Sequence, residues 1–158
     1  MMEIERKFLL DSLPPEVSAC RKIEIEQAYI STDPTIRLRR SDESFVLCVK
    51  QGGLAAREET EFTLSREQFE RLWKKAETKP VLKTRFIFPL DSSLRAEVDV
   101  YHGDLDGLLT VEVEFSSFDE ASSFTPPSWF GKDVTMDPKY KNSYLAVFGK
   151  PEFSKIGK

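Results

Sequence analysis

The sequence predicts a mainly β (α+β) domain: about eight antiparallel strands forming a sheet or closed barrel, with a few helices packed outside. Three observations carry this reading. Short runs of alternating charged and apolar residues recur along most of the chain. Turn residues separate them at short, regular intervals, and two main segments switch to a helical period. At 158 residues the chain has the length of one domain, since two halves would each hold only a marginal core.

Taken in order, residues 3–9 alternate charged and apolar side chains, and 23–30 are rich in isoleucine, with Asp33-Pro34 as the turn that ends the run. Strands at 36–40, 45–50 and 58–64 follow, with Gln51-Gly52-Gly53 marking a hairpin or loop. Ser65 with Gln68 three residues on fits a capping box. Phe69, Leu72, Trp73 and Ala76 then fall on one face, which predicts a helix that packs on the core. Three more strands are expected at 81–90, 94–101 and 108–115. The turns between them are 89–93 and His102-Gly103-Asp104, the latter running on to Gly107. A second helix is expected after Asp137-Pro138, carrying Tyr144, Leu145 and Phe148 until Gly149 and Pro151 stop it. Residues 11–19 and 118–123 are candidate short helices. The domain is expected to span residues 1–149, with 150–158 as a flexible C-terminal tail.

Composition excludes several function classes. Lys and Arg number 23 against 27 Asp and Glu, a net charge of −4, whereas proteins that coat DNA are usually basic. No run is long enough to span a membrane. Met1-Met2-Glu3-Ile4-Glu5-Arg6-Lys7 alternates charges where a signal peptide needs an apolar stretch, so the expected location is cytoplasmic. Cys20 and Cys48 are too few for a disulfide framework and read as reduced thiols. His102 is the single histidine, which argues against Ser-His-Asp and Cys-His triads and against a multi-histidine zinc site.

The placement of charge within the strands is more informative. Residues i and i+2 of a strand share a face, and charged pairs at that spacing recur: Glu3/Glu5 followed by Lys7, Arg37/Arg39, Glu59/Glu61, Lys83/Arg85, Glu97/Asp99 and Glu112/Glu114. Roughly 16 such pairs would arise by chance in a chain this charged, so the count alone decides nothing. Context does. The residues between and beside them are mostly apolar, among them Ile4, Phe8, Ile36, Leu38, Phe62, Phe86, Phe88, Val98, Val111, Val113 and Phe115, and most pairs carry a single sign. One alternative is an amphipathic sheet whose charged face is simply wet. Clustering like charges is unfavourable without counter-charges nearby, however, and about eight strands tend to close into a barrel. Closure would gather the charges into one interior, acidic on one side and basic on the other, suited to a polyanion with divalent cations. Carboxylates without His or Cys suit magnesium or manganese. Arginine forks and lysine ammoniums suit phosphate oxygens. No glycine-rich phosphate loop is present; Gly52-Gly53 reads as a turn.

Glu3-Ile4-Glu5-Arg6-Lys7 is an E-x-E-x-K signature, and it resembles that of the CYTH superfamily, the triphosphate tunnel metalloenzymes. Further segments match in order: Gln27-Ala28-Tyr29, Ile36-Arg37-Leu38-Arg39, Lys50-Gln51-Gly52, Glu59-Thr60-Glu61, Lys83-Thr84-Arg85, Glu97-Val98-Asp99, Glu112-Val113-Glu114, Asp133-Val134-Thr135 and residues 140–146. The resemblance covers roughly residues 1–148 and implies an eight-stranded antiparallel barrel forming a tunnel, a triphosphate substrate, and Mg2+ or Mn2+. Position by position, it implies metal-binding roles for Glu3, Glu5, Glu59, Glu61, Asp99, Glu112 and Glu114. Lys7, Arg37, Arg39, Lys50, Lys83 and Arg85 match the phosphate-binding wall. Arg95 shares the parity of Glu97, as would any surface arginine at a strand end. Lys7 and Tyr29 resemble the lysine-tyrosine dyad proposed as general base in the small bacterial tripolyphosphatases, an ammonium beside a phenol favouring its deprotonated form.

The resemblance thus implies hydrolysis of inorganic tripolyphosphate to pyrophosphate and phosphate, with a homodimer as a common assembly. Alternatives on the same barrel are a class IV adenylate cyclase and a thiamine or nucleoside triphosphatase. A non-catalytic polyphosphate-binding module would keep the basic wall and could dispense with the acidic one. A single-strand nucleic-acid barrel would need aromatics beside the basic residues, whereas Phe62, Phe86 and Phe88 fall on the opposite face.

Overall fold

In the computed structural model, eight strands pair edge to edge until the sheet meets itself. They are β1 (Met2–Leu9), β2 (Arg21–Thr32), β3 (Thr35–Ser41), β4 (Ser44–Gly52), β5 (Ala56–Thr63), β6 (Val81–Pro89), β7 (Arg95–Tyr101) and β8 (Leu109–Phe115). The order around the closed barrel is β1-β5-β4-β3-β2-β6-β7-β8, and β8 returns to β1. Every neighbouring pair is antiparallel. The structure describes residues 2–91 and 93–151, so most of the expected tail, residues 152–158, lies outside the described residues. All eight expected strands form. β2 begins two residues early because Arg21 and Lys22 still pair with Ile87 and Phe86 of β6.

Closure is uneven. β1 pairs with β5 over only three positions, Met2 to Ile4. Past Ile4 its free edge is taken by a later segment: the Leu9 amide donates to the Lys132 carbonyl (2.8 Å), the Gly131 amide to Leu9 (2.7 Å) and the Val134 amide to Lys7 (2.9 Å). Gly131 fits because a Cβ there would lie 2.6 Å from the Leu9 carbonyl oxygen.

The barrel is turned inside out relative to an ordinary core. Alternation directs Ile4, Phe8, Leu38, Ala96, Val98, Val111, Val113 and Phe115 outward, where the rest of the chain buries them. One cluster lies over β1, β7 and β8, with Phe8 and Phe130 rings 5.0 Å apart and Phe115 and Phe124 5.2 Å apart. Helix α1 (Arg66–Trp73) covers a second, its Phe69 ring 4.9 Å from Phe45 above Leu38. Its start is the expected capping box: the Gln68 amide donates to Ser65 Oγ, and the Ser65 amide to Gln68 Oε1. The helix ends at Trp73, so Ala76 falls in the turn beyond it and not on the helical stripe.

Helix α2 (Phe118–Ser123) forms as expected and buries Ala121. Of the candidate helix at 11–19, only a 3-10 turn, Pro15–Ala19, appears. Helix α3 (Asn142–Phe148) follows a 3-10 turn at Pro138–Tyr140 and packs Leu145 and Ala146 in a third cluster with Val81, Tyr101 and Leu105. Gly149, at φ 79°, ends it in a conformation that favours glycine. Arg6, the outward residue of the E-x-E-R-K run, staples these coverings to β1. Its guanidinium donates to the Ala121 and Phe124 carbonyls (3.0 and 3.1 Å) and pairs with Asp133 (3.1 Å). Among the described residues, no helix is long and apolar enough to cross a membrane.

Because apolar packing lies outside the barrel, Phe8→Ala should destabilise the protein by about 3–5 kcal/mol. Urea denaturation should show this as a lower midpoint with an unchanged slope.

Candidate active site

The inward positions carry charge, and the strand order sorts it by sign. β5, β1, β8 and β7 are contiguous and bring Glu59, Glu61, Glu3, Glu5, Glu112, Glu114 and Glu97 to one half of the bore. β4, β3, β2 and β6 are contiguous and bring Lys50, Arg37, Arg39 and Arg85 to the other. Together they line a cavity of about 200 Å3. Register sharpens the sorting: Glu5 sits opposite Glu114, Glu97 opposite Glu112, and Tyr29 opposite Arg37. Two cations depart from the sorting: Arg57 on β5 and Lys7 on β1. Lys7 projects opposite Glu112 and donates its ammonium to the Tyr140 carbonyl at 2.6 Å.

The halves touch at two seams, where ion pairs form. At β4/β5, Lys50 Nζ lies 2.8 Å from Glu3 and 3.2 Å from Glu59, and Arg37 lies 4.0 Å from Glu61. Burial opposes ionisation of Glu59, but Lys50 outweighs it and lowers its pKa. At β6/β7, Arg85 donates through Nε and Nη2 to both oxygens of Asp99 (2.8 and 2.9 Å) and lies 3.3 Å from Glu97. Away from the seams, like charges press on one another. Burial first, then the Glu112 and Glu3 carboxylates, raise Glu5 well above the usual carboxylate range. Burial, Glu3 and Glu97 raise Glu114 too. Burial, then Arg37 and Arg85, push Arg39 down to about 10. An acidic half held against its own repulsion fits a hard dication, and a basic half held likewise fits an anion rich in oxygen.

Two expected residues do not line the cavity. Asp99, expected among the metal ligands, and Lys83, expected in the phosphate-binding wall, lie fully buried, 2.7 Å apart. Asp99 is engaged by Arg85 and Lys83 together. Burial alone would raise its carboxyl, but these cations hold it well below the usual range. Its oxygens are committed to neutralising buried cations, so its place is beneath the site, supporting Arg85. Arg95 is exposed at the start of β7 and also lies outside the cavity.

Tyr29 does line the cavity. Among the described residues no hydrogen bond joins it to Lys7; its hydroxyl accepts instead from Gln27 Nε2 at 3.1 Å. Cys48 is buried on the inner wall, its thiol 3.7 Å from Glu59. Cys48, Glu59 and Glu61 bring donor atoms within 4.8 Å of one another, although a thiol is a poor partner for a hard cation.

Sequence reasoning gave no site role to Thr35 or Arg57, nor to Glu97, singled out only as half of a charged pair, nor to the closing segment, matched to the family at 133–135 and 140–146, which contributes Thr135, Asp137, Lys141 and Asn142 to the lining. Glu97, Thr35 and Arg57 were within reach, since each shares the parity of a neighbour already singled out. The closing segment carries no strand period to mark it.

A closed antiparallel barrel with its bore divided between carboxylates and cations defines a class of protein, one built to hold a polyanion together with metal ions. Residues 1–121 match the sequence model of the CYTH domain, and the chain belongs to that family. It is similar to the inorganic triphosphatase of Nitrosomonas europaea, 40% identical over 151 residues that span 93% of this chain and 98% of that protein. The inorganic triphosphatase of Acetivibrio thermocellus is 31% identical over 147 residues, 90% of this chain and 92% of its own. A solved crystal structure of an inorganic triphosphatase, 38% identical, superposes with a TM-score of 0.69 over 94% of this chain and 97% of its own.

Asp99→Asn should cost about 3–5 kcal/mol, because it leaves Arg85 and Lys83 buried with a lost counter-charge. The pH dependence has a definite sign. Asp99 titrates lower in the folded state than in the unfolded chain. Its stabilisation is therefore complete above about pH 4 and lost as the pH falls further. Glu112, held to about 2 by Lys7 and Arg85 against burial, acts in the same sense. Urea denaturation between pH 6 and about 2.5 should show wild type losing stability towards acid, and Asp99→Asn, weaker at neutral pH, losing less over that range.

Proposed function

We propose that this chain hydrolyses inorganic tripolyphosphate to pyrophosphate and phosphate inside the barrel, with Mg2+ or Mn2+ held by its carboxylates. The observation that carries the reading is the division of one cavity into an acidic and a basic half. The similarity to inorganic triphosphatases over nearly the whole chain supports it. Among the described residues that line the cavity, charged side chains predominate, with Leu54 and Val134 its aliphatic members and Tyr29 and Tyr140 its aromatic ones, a lining that suits condensed phosphates better than an adenine or thiamine ring. The free thiols of Cys20 and Cys48 suit a reducing cytosol.

In this reading Arg37, Arg39, Lys50 and Arg85 grip the phosphate oxygens, with Lys7 reaching across from β1. Their charges meet the negative charge that builds on the leaving pyrophosphate. Glu3, Glu5, Glu59, Glu61, Glu112 and Glu114 hold the metal, joined by Glu97. The bound cation supplies charge neutralisation and polarisation of a phosphoryl oxygen. Water attacks the terminal phosphorus, the bridging P–O bond breaks with its electrons left on the departing pyrophosphate, and the proton released from water passes to the phenolate oxygen of Tyr29. The basic half fixes the chain so that the attacked phosphorus presents one geometry to the water, which removes much of the entropic barrier. Lys83 and Asp99 keep Arg85 in place from below and touch neither partner in the reaction.

Glu3→Ala and Glu5→Ala should each release phosphate from tripolyphosphate at under about 1% of the wild-type rate while still binding it, the loss expected when charge neutralisation at the reacting phosphoryl group is removed. Wild-type release by both variants would show that the acidic half is not catalytic. Arg37→Ala should cost at least about 10²-fold in kcat. With ATP and the same metals, cyclic AMP as the main product would overturn the hydrolytic reading.

A further inference from the structure

Gln27 precedes Tyr29 by two residues on β2, so the two side chains share the inner face and Ala28 between them points out. Gln27 is completely buried. Its amide is engaged at both ends: Oε1 accepts from Arg39 Nε at 2.8 Å, and Nε2 donates to the Tyr29 hydroxyl at 3.1 Å. The β2/β3 register builds this chain, setting Gln27 opposite Arg39 and Tyr29 opposite Arg37. The bond to Gln27 uses Arg39 Nε, and among the described residues no hydrogen bond engages its paired Nη groups, which face the cavity side open to an anion.

A guanidinium at an amide oxygen draws electron density away from the amide nitrogen, and consecutive hydrogen bonds strengthen one another. The donor at Tyr29 is therefore better than an isolated glutamine would be. Its bond fixes the direction from which the phenol oxygen accepts. It also favours the phenolate, the form in which that oxygen can accept a proton, since a hydrogen bond to a charged acceptor is stronger than one to a neutral acceptor. Among the described residues no hydrogen bond joins Lys7 to that oxygen; its ammonium donates to the Tyr140 carbonyl.

We infer that Gln27 is a positioning residue that links Arg39, gripping phosphate, to Tyr29, receiving the proton. The inference rests on Tyr29 acting as the base. It makes the base answer to the same arginine that holds the anion, so that a displaced Arg39 also leaves Tyr29 poorly supported.

The test is a double-mutant cycle on the full-length protein, with kcat and KM measured for tripolyphosphate and Mg2+ or Mn2+. Gln27→Glu keeps an acceptor for Arg39 and loses the donor to Tyr29. It should lower kcat about 10- to 100-fold, the cost of a lost hydrogen bond to a charged group, with KM changed less than about threefold. Tyr29→Phe alone should lower kcat by about 10² or more. In the Tyr29→Phe background, Gln27→Glu should change kcat by less than about twofold. Equal loss with and without the Tyr29 hydroxyl, or a raised KM with kcat intact, would overturn the link, because Gln27 would then serve Arg39 or the fold alone. Wild-type kcat in Tyr29→Phe would remove the base itself and the link with it, an outcome separable from the first because it appears in the single variant. Should Gln27→Glu fail to fold, as judged by thermal melting, Gln27→Met carries the same cycle with a neutral side chain of similar length.

Discussion

Buried charge must find buried counter-charge, and the pairing of Asp99 with Arg85 and Lys83 is where this barrel meets that demand most completely. Each of these groups gives up hydration worth several kcal/mol. Asp99 answers both cations at once, with both oxygens on Arg85 and one also beside Lys83. Lys50 with Glu3 and Glu59 does the same at the other seam. Between the seams the charges have no such relief, and Glu5, Glu114 and Arg39 register it in their shifted affinities for protons. The fold is thus neutralised where acid meets base and left strained where the cavity opens, so a bound polyanion and its cations would complete it.

The stability that permits this interior comes from outside the barrel. Phe8, Leu38, Val98, Val111 and Val113 are buried under helices and loops that contribute little to the bore itself. Arg6 ties two of these coverings to the strand that carries Glu3, Glu5 and Lys7. A single strand therefore serves the site with one face and the hydrophobic core with the other, and the alternation of residues 3–8 meets both needs.

That alternation is why so much was legible in the sequence. Strand existence, the capping box at Ser65 and the stop at Gly149 all follow from local rules, and each forms as those rules require. Sign segregation within strands foretold the divided bore, and the strand order realises it. Parity reports which face a side chain takes but not how deep along the barrel it lies. Lys83 and Asp99 share the inner face with Arg85, yet they sit below the cavity, while Glu97, two residues from Asp99, lines it. The site role of residues 134–143 went unread for a different reason. Most of those side chains arrive through loops and 3-10 turns, where neither a period of 2 nor one of 3.6 applies, with Asn142 and Ser143 at the start of α3, and the tertiary path along β1 brings them to the mouth.

The strand order has one more consequence. With four neighbouring strands acidic and cations on three of the next four, the bore carries a transverse dipole, directed from wall to wall and not along the channel. Such a field turns a chain of linked anions broadside and presses it against one wall, yet it distinguishes poorly between head and tail. A molecule whose two ends are alike loses nothing by that indifference, whereas one bearing a bulky group at a single end would need further contacts to be seated the right way round.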